Sequence, residues 1–452
     1  MASAPSIDLG AIIEGQARNP FVLRLVLLSV LITFFDGFDM MVISYLAAYL
    51  TEDFGFSAVQ MGNVFAAGTF GAMVGGLLFG FLGDRFGRRP AIVAAVFASG
   101  VLSLALFFAR SYEVLMILRF LNGIALGGAL PLCWALNIEY VPSSYRATVV
   151  TIVMLGYTAG SSLGAPVTIW LAPQFGWEAV FAFSGATTLV VALVLARWLP
   201  ESARYLVNRN GSPERIARYA TAISPASEIP PGARFHLADE GPKNDSKFRL
   251  GSLFEGKLRF VTPLLWSAYI ASSTAVFFKA NWTPLVLEYL HYSRTMAAGY
   301  SSISSLGSAL GGLLLMRFTD KYGAGAVGIM ALISVPVLLF VGLGPTGYWT
   351  FLILNFFVNI AMGGAHYGMH SISGIFYPSA WRANGAGWAT SIAKFGSIAG
   401  PLVGGFILAT QFPVRHIFAL LAISPALVAM SLFSLEYLRR RNAPEQLAAA
   451  PS

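Results

Sequence analysis

Long apolar runs broken by short polar stretches set the first expectation. They fall at roughly 22–50, 60–82, 90–109, 114–138, 147–171, 178–199, 261–289, 296–317, 324–343, 348–375, 383–409 and 415–437. Each is near the ~20 residues that an α-helix needs to cross a bilayer. The pattern predicts an all-α membrane protein with twelve transmembrane helices, six on each side of a polar interval. The expected divisions are an N-terminal segment 1–21, a six-helix bundle 22–199, a central loop 200–260, a second six-helix bundle 261–438 and a C-terminal tail 439–452. Residues 1–20 lack a signal-peptide cleavage pattern, so the first helix is expected to act as an uncleaved signal.

Charge orients the pattern. Arg85, Arg88, Arg89, Arg146, Arg204, Arg209, Arg317, Lys321, Arg382, Arg439, Arg440 and Arg441 fall in loops and tails on one side, and only Arg110, Arg294 and Arg415 on the other. By the positive-inside rule both termini and the central loop face the cytoplasm. Within that loop Ser212-Pro213-Glu214-Arg215 reads as a helix start, with an amphipathic helix near 213–223 and the rest as linker. Of the 452 residues 56% are hydrophobic and 11% charged, well below the roughly 25% charged of a soluble domain. The net charge of +8 suits an anionic leaflet rather than nucleic acid. The single cysteine, Cys133, excludes an intramolecular disulfide.

The chain repeats itself at a constant offset of 236 residues. Gly75-Gly76-Leu77-Leu78 recurs as Gly311-Gly312-Leu313-Leu314, and Asp84-Arg85-Phe86-Gly87 as Asp320-Lys321-Tyr322-Gly323. Gly127-Gly128-Ala129 recurs as Gly363-Gly364-Ala365. Pro142-Ser143 with Tyr145-Arg146-Ala147 matches Pro378-Ser379 with Trp381-Arg382-Ala383, and Gly160, Ser161 and Gly164 match Gly396, Ser397 and Gly400. Two pseudo-symmetric halves in parallel repeat are the architecture of secondary transporters that bind substrate between the halves. The glycines spaced by four, Gly156, Gly160 and Gly164, and Gly396, Gly400 and Gly404, let helices approach closely. Packing is the simpler account of them and a sliding contact the sharper one.

Two acids break the first apolar run. Asp36 and Asp39 sit inside it, three residues apart and on one helix face. A carboxylate at membrane depth marks a functional site by default. Two of them together resist simultaneous ionisation, which is what a proton carrier needs. The structural alternative is a hydrogen-bonded kink at Gly37.

Gly80-Phe81-Leu82-Gly83-Asp84-Arg85-Phe86-Gly87-Arg88-Arg89-Pro90 joins the second and third helices. Asp84 is placed to cap a neighbouring helix, and Glu139 to pair with one of the arginines. This loop resembles the signature of the major facilitator superfamily. The resemblance implies the major facilitator fold and a conformational latch made of Gly83, Asp84, Arg85, Gly87, Arg88, Arg89, Glu139 and Arg146. Within the superfamily, Asp36-Gly37-Phe38-Asp39 resembles the paired-aspartate motif of the aromatic acid:proton symporters. Arg119-Phe120-Leu121-Asn122-Gly123, Pro200-Glu201-Ser202 with Arg204, Trp282 with Pro284, and Gly400-Pro401 agree with it. Pro-Glu-Ser is shared with sugar transporters and does not discriminate; the aspartate pair does.

The second half departs from that family. His366 and His370 stand where Gln and Asn are expected, and Lys394 where Arg is expected; Lys279 is a further cation within a helix. Each is costly in a membrane without an anionic partner. The histidines share a helix face, but two ligands without an acid or thiol do not close a metal site, so no metal or cofactor is expected. Hydrogen bonding to substrate, protonation and ordinary interhelical bonding remain open for them. Lys279, nearer the helix end, is a substrate ligand or a snorkelling lysine. Arg119 is an interfacial anchor or a carboxylate ligand. Trp134, Tyr157, Tyr367 and Trp388 are candidates for stacking on a ring.

The resemblance implies import of a small aromatic carboxylate with protons across a bacterial inner membrane by a monomer. Asp36 and Asp39 would couple protons, while Arg119, Lys394, His366, His370 and Lys279 would bind the anion. A transporter of a sugar or another metabolite, or an exporter, is the alternative on the same fold. A transporter-like chemoreceptor lacks a signalling domain. An enzyme lacks any nucleophile–base constellation or phosphate loop.

Overall fold

A computed structural model describes residues 5–16, 19–225, 229–230, 232–239, 249–344, 347–372, 375–377, 382–410 and 412–448. Short polar breaks separate the first six long helices. These are α2 (Pro20–Phe54), α3 (Ala58–Phe86), α4 (Arg88–Leu106), α5 (Tyr112–Ile138), α6 (Arg146–Phe175) and α7 (Glu178–Trp198), preceded by the short α1 (Leu9–Glu14). The central interval holds α8 (Ala203–Asn208) and α9 (Pro213–Ile223). The second half comprises α10 (Leu258–Tyr289), α11 (Arg294–Tyr322), α12 (Ala324–Leu343), α13 (Tyr348–Ile372) and α14 (Arg382–Ala409). The last apolar run forms α15 (Ile417–Leu421) and α16 (Ile423–Ala448) rather than one helix. Pro425, lacking an N–H, removes the bond that would bridge the break at Ala422.

Among the described residues eleven segments are long and apolar enough to cross a membrane. The remaining long helix, α11, has the length, but Ser301, Ser302, Ser304, Ser305 and Ser308 dilute its apolar character. Contacts divide the chain into two compact units. One comprises Met1–Met40, Phe70–Ser161 and Gln174–Ser246, and the other Met41–Thr69, Ser162–Pro173 and Lys247–Ser452. The chain passes from one to the other inside α2, α3 and α6.

The internal repeat is a repeat of contacts as well as of letters. In the first unit a Cβ on Gly75 would strike the carbonyl of Ile124, and one on Gly160 that of Phe34. In the second unit the same holds for Gly311 against Ile360 and Gly396 against Ile270. All four pairs preserve the 236-residue offset on both partners. Helix crossings this close are open only to residues without a side chain. Gly87 and Gly323, also 236 apart, turn the chain with φ of 109° and 58°. The side chains of Arg317, Asp320, Lys321 and Arg382, and all of Pro378, Ser379 and Trp381, lie outside the described residues.

The central interval is more than a linker. β1 (Ser6–Asp8) pairs in parallel with β2 (Arg234–His236), with Ser6 opposite Arg234. α9 begins at the expected Ser212 cap with Pro213 in its first turn. Its stripe of Ile216, Ala220 and Ile223 is buried in one cluster with Leu9 and Ile13 of α1 and with Leu199, Ala203 and Leu206. Gln16 Nε2 donates to the Tyr140 carbonyl at 2.8 Å, and Asn19 Nδ2 to that of Ile223 at 2.8 Å. Arg204 donates to Asp239 at 2.7 Å, and that bond holds the Asp239 carboxyl below the usual carboxylate range. Apart from α9, none of these short elements buries enough alone for a local pattern to reveal it.

The glycine contacts are open to test. Gly160→Ala is expected to cost about 1–3 kcal/mol by overpacking against a carbonyl and to lower the unfolding temperature of the detergent-solubilised protein by several degrees. Gly80→Ala, where nothing lies within 4 Å, should leave it unchanged. Equal unfolding temperatures for the two variants would refute the close crossing.

Candidate functional site

Asp39 is caged by the first unit. It is 1% exposed. Its Oδ1 accepts from Ser103 Oγ of α4 and Ser184 Oγ of α7, both at 2.9 Å. Its Oδ2 accepts from Asn122 Nδ2 of α5 at 2.5 Å. Arg119, one turn before Asn122, is 2% exposed and donates to the Asp39 backbone carbonyl at 3.4 Å. Among the described residues no carboxylate lies within ion-pair distance of Arg119, and its Nε has no hydrogen-bond partner. The guanidinium is thus a buried member of the Asp39 cluster and not an interfacial anchor. Three side-chain donors surround the Asp39 carboxyl group, and the Arg119 guanidinium lies against its backbone. Asp36, 7% exposed, lies one turn back on α2 and near Cys133 of α5. Gly37 between them packs on the Tyr157 carbonyl of α6.

The second unit gathers the bases. His366 Nδ1 meets Ser272 Oγ of α10 at 3.0 Å. The rings of His366 and His370 are 5.4 Å apart, and Tyr269 lies 5.6 Å from His370. Lys394 of α14 is close enough for its charge to act on both imidazoles. Ser272 is the repeat counterpart of Asp36, so a hydroxyl that holds a histidine stands where the first half has an acid. Lys279 does not snorkel. It is 5% exposed, and its Nζ donates to Asn355 Oδ1 of α13 at 2.8 Å. It lies seven residues beyond Ser272 on α10, about 10 Å along the axis. Among the described residues no three His, Cys, Asp or Glu side chains cluster as metal ligands.

The four aromatic candidates are dispersed. Tyr367 packs 6.1 Å from His366. Trp388 stacks on Trp266 at 6.4 Å, two turns before Lys394. In the first unit Trp134 is half-buried, with an indole N–H that has no partner among the described residues, and Tyr157 contacts α2 through its backbone.

The loop between α3 and α4 is held by a residue that sequence reasoning undervalued. Asp84 does not cap a helix; it pairs with Arg88 at 2.5 Å, and Arg88 Nε reaches Glu139 at 3.3 Å. The carboxylate at the start of α4 is Glu201. Its Oε1 accepts from the backbone N–H groups of Arg88 at 2.9 Å, Arg89 at 3.2 Å and Ser202 at 2.8 Å. A Cβ at Gly87 would collide with that carboxylate. Tyr205 donates to the Arg85 carbonyl and Arg209 to that of Asp84. Arg89 donates to the Ala196 carbonyl. The Arg85 guanidinium lies over Phe81 and Phe86. Gly83 packs on Leu132. Arg146 pairs with Glu14 of α1 at 3.5 Å, away from the Asp84 cluster. Glu201 belongs to the Pro-Glu-Ser stretch, whose position directly after α7 was the only signal for it.

Repeated membrane helices, caged polar groups at mid-helix and an ordered loop between α3 and α4 define a secondary transporter scaffold. The model of the Major Facilitator Superfamily matches residues 29–323 and 265–452. The chain belongs to that superfamily, in its aromatic-acid transporter family. It is 31% identical to the gallate transporter of Pseudomonas putida, over 97% of both chains. It is 32% identical to the 4-hydroxybenzoate transporter PcaK of Pseudomonas aeruginosa, over 94% of this chain and 95% of that one. The benzoate transport protein of Acinetobacter baylyi is 28% identical over 98% and 95%. Among solved structures, the inward-open xylose transporter XylE of E. coli shares the fold with a TM-score of 0.70 at 18% identity, covering 92% of this chain and 96% of that chain.

Glu201 can be tested without any substrate. Glu201→Ala removes a charged acceptor from three amides, and each such bond contributes about 1.5–3 kcal/mol. Amide hydrogen exchange at Arg88 and Arg89 should accelerate by at least about tenfold. Unchanged exchange there would show that Glu201 does not hold the loop.

Proposed function

We propose that this protein imports a small aromatic carboxylate, of the benzoate or hydroxybenzoate type, together with protons, by alternating access. The observation that carries the substrate class is similarity over almost the whole chain to transporters named for gallate, 4-hydroxybenzoate and benzoate. The likeness to a xylose transporter concerns the fold and gives no support to a sugar.

Asp36 and Asp39 are the proton side. Asp39 is held in its cage of donors, and a proton arriving at this pair changes the charge at the centre of α2. Lys394, His366 and His370 are the substrate side, which attracts the carboxylate, while Arg119 keeps the aspartate cluster electrically poised. A neutral or positive loaded complex then crosses with the membrane potential instead of against it. The Asp84–Arg88–Glu139 chain, with Gly83, Arg85, Gly87 and Arg89 around it and Glu201 beneath it, acts as the conformational latch. Arg146 contributes through the N-terminal segment. The protein sits in the cell membrane as a monomer with both termini cytoplasmic, as the distribution of basic loops supports.

Uptake driven by an inward proton gradient tests this reading. In proteoliposomes, Asp36→Asn and Asp39→Asn should each reduce accumulation of 4-hydroxybenzoate to background while the protein stays folded and inserted. Full accumulation by both variants would remove these acids from the coupling mechanism.

A further inference from the structure

Lys279 lines a cavity of its own. Within the second unit about 80 Å3 of space is bounded by Lys279, Thr283, Ser301, Ser304, Ser305, Ser308 and Asn359, with Met41, Val276 and Met362 among its apolar walls. A single water needs roughly 10–15 Å3 on this measure, so the cavity holds several waters or a small ion. The serines are not scattered. At positions 301, 304, 305 and 308 they occupy one face of α11, and that face is turned toward α13, where a Cβ at Gly363 would collide with Ser308.

The ammonium in this cavity is under-compensated. Its one hydrogen-bond partner among the described residues is the neutral Asn355 amide oxygen, and no carboxylate bears on it. Buried lysines are ordinarily paired, and one neutral acceptor does not offset the desolvation of an ammonium. Asn355 is itself fully buried, and its Nδ2 has no partner. Ser301 and Ser305 donate back to the carbonyls of Ala297 and Ser301 at 2.9 and 3.2 Å. Such bonds leave hydroxyls that reorient at little cost toward an incoming acceptor. A cation, hydroxyl donors and amides around one cavity are the chemistry of an anion site.

This space is separate from the Lys394–His366–His370 group. Val276 and Met362 line both the Lys279 cavity and a second one of about 10 Å3, which includes Ser272 and Ala365. Lys394, His366 and His370 line neither of the two cavities.

We propose that the Lys279 cavity is a second anion-binding site, for one carboxylate group or a halide-sized monovalent anion, distinct from the station formed by Lys394 and the two histidines. The two sources share one chemistry, a single negative charge met by an ammonium and hydroxyl donors. Equilibrium dialysis of the purified full-length protein in chloride-free buffer, with labelled benzoate and labelled chloride as probes, separates them. The wild type should bind two monovalent anions per chain, as two benzoates or as one benzoate and one chloride that do not compete. Lys279→Gln should lose one of the two, and Lys279→Arg should regain it. Lys394→Ala should lose the other.

A wild-type chain that binds only one anion in total overturns the proposal whether or not the variants fold. So does a Lys279→Gln protein that binds both probes like the wild type. The outcome also distinguishes this site from the transport reading. Two chlorides bound per chain, one of them lost with Lys279→Gln, with no benzoate bound anywhere, uphold the site and defeat the aromatic substrate. Benzoate lost only with Lys394→Ala, with both probes indifferent to Lys279, does the reverse.

Discussion

A carboxylate in the middle of a membrane helix has to find its donors inside the protein, and that constraint organises the first unit. Asp39 draws Ser103, Asn122 and Ser184 from three other helices onto one side chain. Lipid on the outside offers no donor in place of a missing one. α4, α5 and α7 are therefore tied to α2 at mid-depth by one carboxyl group. Arg119 adds a positive charge against the Asp39 backbone. In the proposed transport cycle, a proton arriving at this cluster would alter the electrostatics of four packed helices at once.

The second unit copies the scaffold but not the chemistry. Gly160 on the Phe34 carbonyl and Gly396 on the Ile270 carbonyl are the same crossing made twice. At the counterpart of Asp36 the copy has Ser272, bonded to His366. Lys394 and His370, both exposed, and, farther along α10, the buried Lys279 make the second unit's polar groups basic. Close glycine crossings fix the helices, which leaves the remaining inward positions free to diverge. One half of the duplicated frame thus came to hold acids and the other bases.

What was legible in the sequence follows from how local each signal is. The apolar runs located the helices because crossing a bilayer needs about twenty residues of one character. The constant offset exposed the duplicated crossings because glycine has no substitute where a carbonyl sits in its place. Asp36, Asp39 and the bases stood out because charge inside an apolar run is rare. The partners of these groups did not stand out. Ser103, Ser184 and Asn122 are ordinary small polar residues until Asp39 lies beside them. The sheet between Ser6–Asp8 and Arg234–His236 joins segments more than 200 residues apart, so neither segment alone predicted it. Glu201 looked like part of a shared motif, yet its carboxylate caps a helix that begins more than 100 residues earlier. Lys279 looked able to snorkel because only its distance from the helix end was visible, not Asn355.

The central claim is that charge on α2 is linked to movement of an aromatic anion. Proton flux measured during substrate entry tests it most directly. With no imposed pH gradient, 4-hydroxybenzoate added to proteoliposomes should alkalinise the external medium beyond what protein-free vesicles show, in proportion to the substrate taken up. Substrate uptake with no proton movement above that of the empty vesicles would contradict the account.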